Sequence, residues 1–299
     1  MSTVLETDDL RRQFGRLVAV DDVSVEVQSD EITSIIGPNG AGKTTLYNLL
    51  TGRLEPTSGT VQLRERDGGD MIDITDRSAH AIANLGLSRG FQINNVFEGL
   101  TVLENLRIAR ISRENRTLDL TAVTSQDPEL TEGAWEVIEL IGLEEVAETK
   151  CENLSHGDKR KVEIALAIGT DPSVVLLDEP TAGMNATETR RMVELIERLD
   201  EETDTTFVVT EHDMEVVLGI SDRILVLDGG QLIADGPPAE VIADERVREA
   251  YLGLDEGEEL DAEIAGADED ADVASDGGDA DVAGDGGNAD VAGDGGESA

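Results

Sequence analysis

Short alternating runs and short continuously apolar runs predict a strand-rich frame in this 299-residue chain. Alternation of apolar and polar positions is typical of half-buried strands, and an unbroken apolar run is typical of a strand covered on both faces. The predicted strands are Val23–Val27, Ile32–Ile36, Ser58–Leu63, Asp70–Ile74, Val174–Leu177, Thr206–Thr210 and Arg223–Leu227.

Segments with helical spacing follow and separate these strands. They are Lys43–Leu50, residues 101–111, residues 132–147 and residues 186–199. Asn185 is the predicted N-cap of the last of these helices, because Glu188 follows three residues later in a variant of the capping box. The alternation of strands and helices predicts a parallel α/β sheet, and the block at about 100–170 reads as an inserted helical subdomain.

Residues 255–299 differ from the rest of the chain in composition. They hold 17 acidic and no basic residues, and they end in three copies of a nine-residue Gly/Asp repeat. Calcium-binding nonapeptide repeats need a different phase and many more copies. We therefore predict a folded domain over residues 3–254 and a disordered, low-complexity acidic tail over 255–299.

The charge balance excludes some classes of function. The chain has 23 basic and 66 acidic residues, for a net charge of −43, and residues 1–254 alone carry −26. Nucleic-acid binding through a broad basic surface is excluded, because it requires clustered Lys and Arg. Self-repulsion of this size is screened at molar salt, so the composition suggests a salt-accumulating organism, with a merely acidic protein as the alternative.

Other features of the sequence point to the cell interior. Cys151 is the one cysteine, so no disulfide can form within the chain. The first residues lack the apolar segment of a signal peptide, and no apolar run approaches 18 residues. The expectation is a soluble, intracellular protein.

One glycine-rich segment predicts a nucleotide site. Gly37-Pro38-Asn39-Gly40-Ala41-Gly42-Lys43-Thr44 satisfies the pattern G-x-x-x-x-G-K-[ST] between a predicted strand and a predicted helix. Its backbone N–H groups and the helix N-terminus suit phosphates. Lys43 is expected to reach the β- and γ-phosphates, and Thr44 is expected to bind Mg²⁺.

A pair of carboxylates suggests what is done with the nucleotide. Asp178 and Glu179 follow the apolar run Val174–Leu177. Such a strand delivers Asp178 to the Mg²⁺ shell and Glu179 to an attacking water, as Mg²⁺-assisted phosphoryl transfer requires. Without the phosphate loop, the same pair would be read as solvated loop residues.

With further motifs, the sequence resembles the ATP-binding subunits of ABC transporters over about residues 3–254. Leu154–Asp158 stands in place of the family's signature, Gln92 matches the Q-loop, and His212 matches the switch histidine. Residues 182–185 match the D-loop, and Phe14 lies 29 residues before Lys43, where the family places an aromatic ring on adenine. The resemblance implies a P-loop NTPase (RecA-like) core with an antiparallel β subdomain and an inserted α-helical subdomain.

The resemblance also implies a head-to-tail dimer with ATP between the subunits. Ser155 and Gly157, at the start of a helix expected over Asp158–Ile168, would contact the γ-phosphate bound to the partner. His212 would contact the γ-phosphate in its own subunit, and Gln92 would join the Mg²⁺ and water shell and the membrane partner. The implied nucleotide-binding residues are Phe14, Gly37, Pro38, Asn39, Gly40, Ala41, Gly42, Lys43, Thr44, Thr45, Ser155 and Gly157. The implied Mg²⁺ residues are Thr44, Gln92 and Asp178, and the implied catalytic residues are Glu179, His212 and Gln92.

Three residues depart from the family pattern. His156 replaces the first signature glycine, Asp158 replaces glutamine, and Asn185 replaces the usual D-loop aspartate. A carboxylate at position 158 would repel a triphosphate, so a direct contact by that residue is not expected. Since Ser155 and Gly157 are retained, activity is expected to survive.

Several segments resemble the subfamily that imports branched-chain amino acids. They are Phe14–Ser24, Thr101–Leu106, 182–185, Gly219–Ile224 and Tyr251–Gly253. The implied function is ATP hydrolysis that powers uptake through separate permease subunits, at the cytoplasmic face of the membrane. The implied partners are the permease, a second ATP-binding subunit and, indirectly, an extracellular solute-binding protein. A urea or short-amide importer and a soluble ABC ATPase without a permease remain alternatives.

Overall fold

A computed structural model describes residues 2–90, 96–113 and 128–252. Ten strands lie in this part of the chain: β1 Thr3–Phe14, β2 Leu17–Gln28, β3 Thr33–Ile36, β4 Ser58–Arg64, β5 Met71–Asp73, β6 Leu87–Gly90, β7 Val174–Asp178, β8 Thr206–Thr210, β9 Arg223–Asp228 and β10 Gln231–Gly236. Nine α-helices lie there too: α1 Lys43–Leu50, α2 Ala79–Leu85, α3 Val102–Arg113, α4 Pro128–Ile141, α5 His156–Ile168, α6 Ala186–Glu202, α7 Met214–Ile220, α8 Pro238–Ala243 and α9 Glu245–Leu252.

A small antiparallel sheet contains the N-terminal strands. Its order is β2-β1-β4-β5, and a two-residue turn joins the long strands β1 and β2. Valines 23, 25 and 27 of β2 are buried and alternate with exposed polar residues, as the sequence pattern predicts. These valines join a core cluster with Leu46 and Tyr47 of α1, so the small sheet packs against the helix that follows the glycine-rich loop.

The larger sheet has the order β10-β9-β3-β8-β7-β6. The pairs from β9 to β6 are parallel, and β10 adds an antiparallel edge. Val174 and Leu176 of β7 face one core cluster while Val175 and Leu177 face another, so the strand is covered on both faces. The predicted α/β fold with an antiparallel subdomain is confirmed.

Helices α3, α4 and α5 lie in sequence between β6 and β7. Their apolar residues, among them Leu106, Ile138 and Ile164, share one buried cluster with the β7 and β8 side chains. The predicted helix over residues 132–147 is wrong at its end. α4 stops at Ile141, because Gly142 adopts φ +73°, and a short 3₁₀ turn follows at Glu144–Val146.

Other element boundaries were predicted with mixed success. Helix α5 begins at His156, two residues before the predicted start, because Ser155 rather than a later residue caps it. α1 and β8 have the predicted bounds, and Asn185 and Glu188 form the predicted capping box of α6.

The predicted domain over residues 3–254 lies partly outside the described residues, and the predicted tail lies wholly outside them. The tail at 255–299 is beyond them, so the boundaries of the domain and the tail stay predictions. Within the described ranges, no helix is both long enough and apolar enough to cross a membrane.

Candidate active site

The glycine-rich loop connects β3 to α1 and lies close to the backbone of two other strands. Gly37 and Gly42 adopt φ +149° and +109°, which L-residues rarely adopt. A Cβ at Gly37 would clash with the Leu227 carbonyl oxygen, and one at Gly42 would clash with the Ala19 carbonyl oxygen. The Gly230 N–H also donates to the Ala41 carbonyl at 2.9 Å, so β2 and the β9–β10 turn support the loop.

The loop delivers the predicted phosphate-binding groups to the N-terminus of α1. The Lys43 ammonium donates to the Gly37 carbonyl and, at 3.4 Å, to the Pro38 carbonyl, so the side chain folds over the loop. Thr44 and Thr45 follow in the first helical turn, and Thr44 is exposed. Backbone N–H groups at a helix N-terminus, together with an ammonium, suit a polyphosphate.

Asp178 is fixed at the end of β7 by residues from two neighbouring strands. Its Oδ2 pairs with the Arg89 guanidinium at 2.6 Å, and its Oδ1 accepts the Thr210 hydroxyl proton at 2.8 Å. The Arg89 side chain is buried, and it also donates to Asn48 Oδ1 at 2.8 Å. β6, β7, β8 and α1 are therefore tied together at one carboxylate.

The residues present fit a magnesium ion. The Thr44 hydroxyl and the Asp178 carboxylate are oxygen ligands of the kind Mg²⁺ prefers. No cluster of three or more His, Cys, Asp or Glu side chains suited to a metal occurs among the described residues. An ion held by Thr44 and Asp178 would thus take its other ligands from phosphates and water, which is the usual way Mg²⁺ is bound with nucleotides.

The structure brings Glu179 and His212 together. Glu179 has φ +51°, and its N–H donates to the Thr210 carbonyl at 2.9 Å. A non-glycine residue in this strained region persists only where neighbouring contacts hold it, which is common at functional sites. The Glu179 Oε1 lies 4.0 Å from Nδ1 of His212, whose side chain is 67% exposed. The carboxylate and the imidazole therefore share one exposed edge of the sheet.

Ser155 and Gly157 lie at the N-terminus of α5. The Ser155 Oγ accepts the Asp158 N–H at 3.1 Å and donates its proton to Asp158 Oδ2 at 2.7 Å. The Ser155 carbonyl accepts the Lys159 N–H at 3.0 Å, so both the side chain and the carbonyl of Ser155 bond within its own helix. Ser155 is exposed, as contact with another molecule would require.

Of the two remaining predicted site residues, the structure describes Phe14 but not Gln92. The Phe14 ring is 42% exposed at the end of β1, and the Arg12 guanidinium stacks 4.6 Å from its centre. Phe14 is therefore not a core residue. Gln92 lies outside the described residues.

Sequence reasoning missed three residues at this site: Arg89, Tyr47 and Glu211. Tyr47 is buried under β7 and β8, donates to the Leu177 and Val208 carbonyl oxygens, and has its pKa raised by burial. Glu211 is 1% exposed, and burial raises its pKa too. Their proximity in sequence to Lys43, Gln92 and His212 was the available signal, but the sequence pattern does not show that charged side chains are buried.

Comparison with known families agrees with this geometry. Residues 20–182 match the family described as ABC transporter, and residues 231–256 match the family described as branched-chain amino acid ATP-binding cassette transporter. The chain is 41% identical over 256 residues to the high-affinity branched-chain amino acid transport ATP-binding protein LivG of Salmonella typhimurium. That match covers 84% of this chain and 98% of LivG.

Solved structures show the same fold. The ADP conformation of an ATP-binding cassette of an ABC transporter has a TM-score of 0.74 and 32% identity, covering 85% of this chain and all of that one. A dimeric ATP-binding cassette in a post-hydrolysis state, bound to ADP and Pi, has a TM-score of 0.63 and 25% identity. That likeness covers 78% of this chain and 98% of the other.

Proposed function

The chain belongs to the ABC transporter family of ATP-binding subunits, and from that premise we propose that it hydrolyses ATP to power import of branched-chain amino acids. The observation that carries the ATPase activity is the placement of Asp178, Glu179 and His212 at the ends of β7 and β8, together with the phosphate loop after β3. The similarity to LivG and the match at residues 231–256 support the solute, and favour it over urea or short amides.

We assign ATP binding to the loop and its flanks. Lys43 would leave the Gly37 and Pro38 carbonyls to bind the β- and γ-phosphates, and Phe14 would stack on adenine. Thr44 and Asp178 would hold Mg²⁺, which when bound neutralises phosphate charge, and Gln92 would join its shell. The buried Arg89 would keep Asp178 oriented, since it already binds that carboxylate.

Hydrolysis is assigned to Glu179 and His212. The Glu179 carboxylate, held by its strained backbone, would accept a proton from the attacking water. His212 would donate a hydrogen bond to the γ-phosphate and stabilise its charge as the bond breaks. Their 4.0 Å separation would let His212 contact the γ-phosphate while Glu179 contacts the water that attacks it.

Assembly is the remaining part of the proposal. Ser155, which is exposed, and Gly157, which is half-buried, lie at the N-terminus of α5 and would bind the γ-phosphate held by a second subunit. The dimeric cassette among the structural neighbours supports such an arrangement. The dimer would act on permease subunits from the cytoplasmic face of the membrane, and a solute-binding protein would deliver the amino acid outside.

Two substitutions distinguish the residues that bind ATP from the residue that hydrolyses it. Lys43→Ala should abolish tight ATP binding, while Glu179→Gln should bind Mg–ATP normally and hydrolyse it about 10²–10⁴-fold more slowly. The Glu179→Gln protein should accumulate as an ATP-bound dimer, and adding Ser155→Arg should return it to a monomer that still binds ATP. Single-turnover assays and light scattering after size exclusion would measure these outcomes.

Glu139→Gln, an exposed change on α4, is the matched control and should behave as wild type. A Glu179→Gln protein with wild-type turnover would show that the carboxylate is misassigned. A Glu179→Gln protein that stays monomeric at saturating ATP would contradict the dimer with ATP between its subunits. An active enzyme that never associates with permease subunits would point to a soluble ABC ATPase instead.

A further inference from the structure

A buried carboxylate at Glu211 lies directly beside the proposed catalytic pair. Its side chain is 1% exposed. Oε1 accepts two hydrogen bonds from Thr181, one from the backbone N–H at 2.8 Å and one from the hydroxyl at 2.7 Å. Thr181 lies two residues after Glu179, so this oxygen ties the segment after β7 to the segment after β8.

The second carboxylate oxygen of Glu211, Oε2, does not take part in the hydrogen bonds with Thr181. Oε2 is buried, and within residues 2–90, 96–113 and 128–252 it has no hydrogen-bond partner. Buried polar atoms in native proteins are almost always bonded, so an exception requires an explanation. Supporting Thr181 does not provide one, because a neutral amide oxygen would accept the same two hydrogen bonds.

His212 is the group within reach of this oxygen. Its Nδ1 lies 4.0 Å from Glu211 Oε2 and 4.0 Å from Glu179 Oε1. Because the imidazole is largely exposed, its ring is free to turn, and a shift of roughly 1 Å would bring Nδ1 within hydrogen-bond distance of Oε2. The buried carboxylate stays fixed by Thr181 while the ring moves.

We propose that Glu211 is a positioning residue that accepts a hydrogen bond from the His212 Nδ1–H in the nucleotide-bound subunit. This inference rests on the proposed function of His212. With Nδ1 protonated and held by a carboxylate, the imidazolium keeps a second N–H, at Nε2, to donate to the γ-phosphate. Carboxylates that orient histidines in this way set both the protonation state and the angle of the ring.

The surroundings of Glu211 agree with this role. Thr181 faces it from the segment after β7, and His212 is its neighbour in the chain. Burial raises the pKa of Tyr47 of α1, and the charges of Asp178 and Glu211 add to that rise. Burial raises the pKa of Glu211, and the Thr181 donors and His212 offset part of that rise. An imidazolium at His212 is the partner that would compensate a buried carboxylate.

The test is Glu211→Gln in the full chain. The glutamine oxygen retains both bonds from Thr181, but its amide group faces His212 with a donor. We expect kcat for ATP to fall about 10–100-fold, as when other partners that orient a histidine are lost, with KM for ATP little changed. Glu215→Gln, an exposed change of the same kind four residues on, is the control and should leave kcat unchanged.

The second readout is the state of the ring nitrogens. Nitrogen-15 NMR with Mg²⁺ and a non-hydrolysable ATP analogue resolves three histidines, and His80 and His156 are assigned by substitution. Nδ1 of His212 should read as protonated in wild type and unprotonated in Glu211→Gln. In a His212→Ala background, adding Glu211→Gln should cause no further loss of kcat.

Two results would overturn the inference. One is a Glu211→Gln enzyme with wild-type kcat and an unchanged Nδ1 signal. The other is an equal further loss in the His212→Ala background, which would mean that Glu211 acts independently of the histidine. Failure of the proposed function looks different, because wild type itself would then not hydrolyse ATP or His212→Ala would be fully active.

Discussion

The Asp158 carboxylate accepts the Ser155 hydroxyl proton at 2.7 Å, while the Asp158 N–H donates back to the same hydroxyl oxygen at 3.1 Å. An acidic residue in the first turn stabilises α5 through the helix dipole. The same hydrogen bond opposes formation of the dimer, because Ser155 must break it before its hydroxyl can donate to a phosphate bound to the partner. The negative charge would also oppose the phosphate itself.

Asp158→Gln should therefore strengthen the ATP-dependent dimer. Removing one charge near the phosphate is worth about 1 kcal/mol in dilute buffer, and the gain should shrink at molar KCl. Light scattering of the Glu179→Gln protein with ATP, with and without Asp158→Gln, would measure the change in dimer dissociation constant. Glu152→Gln, which removes one exposed charge just before the helix, controls for net charge. An unchanged or weaker dimer in dilute buffer would contradict the role given to Asp158.

Three elements bring carboxylates together at the end of the sheet opposite the active site. Asp200 belongs to α6, Asp30 follows β2, and Asp222 precedes β9 and accepts the Ile32 N–H at 2.8 Å. Burial raises the pKa of Asp200 to about 6, and the charges of Asp222 and Asp30 add to the rise. The folded chain thus retains a proton at Asp200 that the unfolded chain releases near pH 4.

This difference predicts a pH dependence of stability. Between about pH 4 and pH 6 the folded state binds more protons at Asp200 than the unfolded state, so this group makes the free energy of unfolding fall as pH rises. Asp200→Asn should flatten that part of the profile and raise the melting temperature at neutral pH. Urea unfolding at a series of pH values would measure the effect. Asp204→Asn, an exposed change nearby, should leave the slope as in wild type.

In the molecule as a whole, repulsion between acidic groups opposes the stability that the buried apolar core provides. Residues 1–254 carry a net charge of −26. The ion pair between Arg223 and Asp235 is a local exception to a mostly acidic surface. Screening by salt weakens repulsion between exposed charges but leaves burial of the core intact or stronger.

Stability and dimerisation should therefore rise from dilute buffer to molar KCl. The reason is that the Debye length falls to about 3 Å at 1 M salt, below the spacing of most surface charges. Thermal melts and light scattering across this range would measure both quantities. A neutral osmolyte at matched osmolality is the control, since it does not screen charge. Melting temperatures that stay flat or fall with KCl would refute the expectation.

Features that depend only on neighbouring residues could be predicted from the sequence. The Asn185 cap, the bounds of α1 and β8, and the doubly covered strand β7 all follow from local spacing and burial patterns. The phosphate loop was equally predictable, because glycine spacing and one lysine define its chemistry within eight residues.

The burial of charged side chains and the identity of their partners depend on the tertiary structure. β6 is only four residues long and β1 is rich in charged residues, so neither sequence shows a clear alternation of apolar and polar positions. These two strands are recognised only from their pairing in the sheets. Arg89 meets Asp178 across 89 positions of sequence, and Glu211 meets Thr181 across 30. Local patterns do not encode such pairs, because burial of a charge becomes favourable only when distant segments supply its partners.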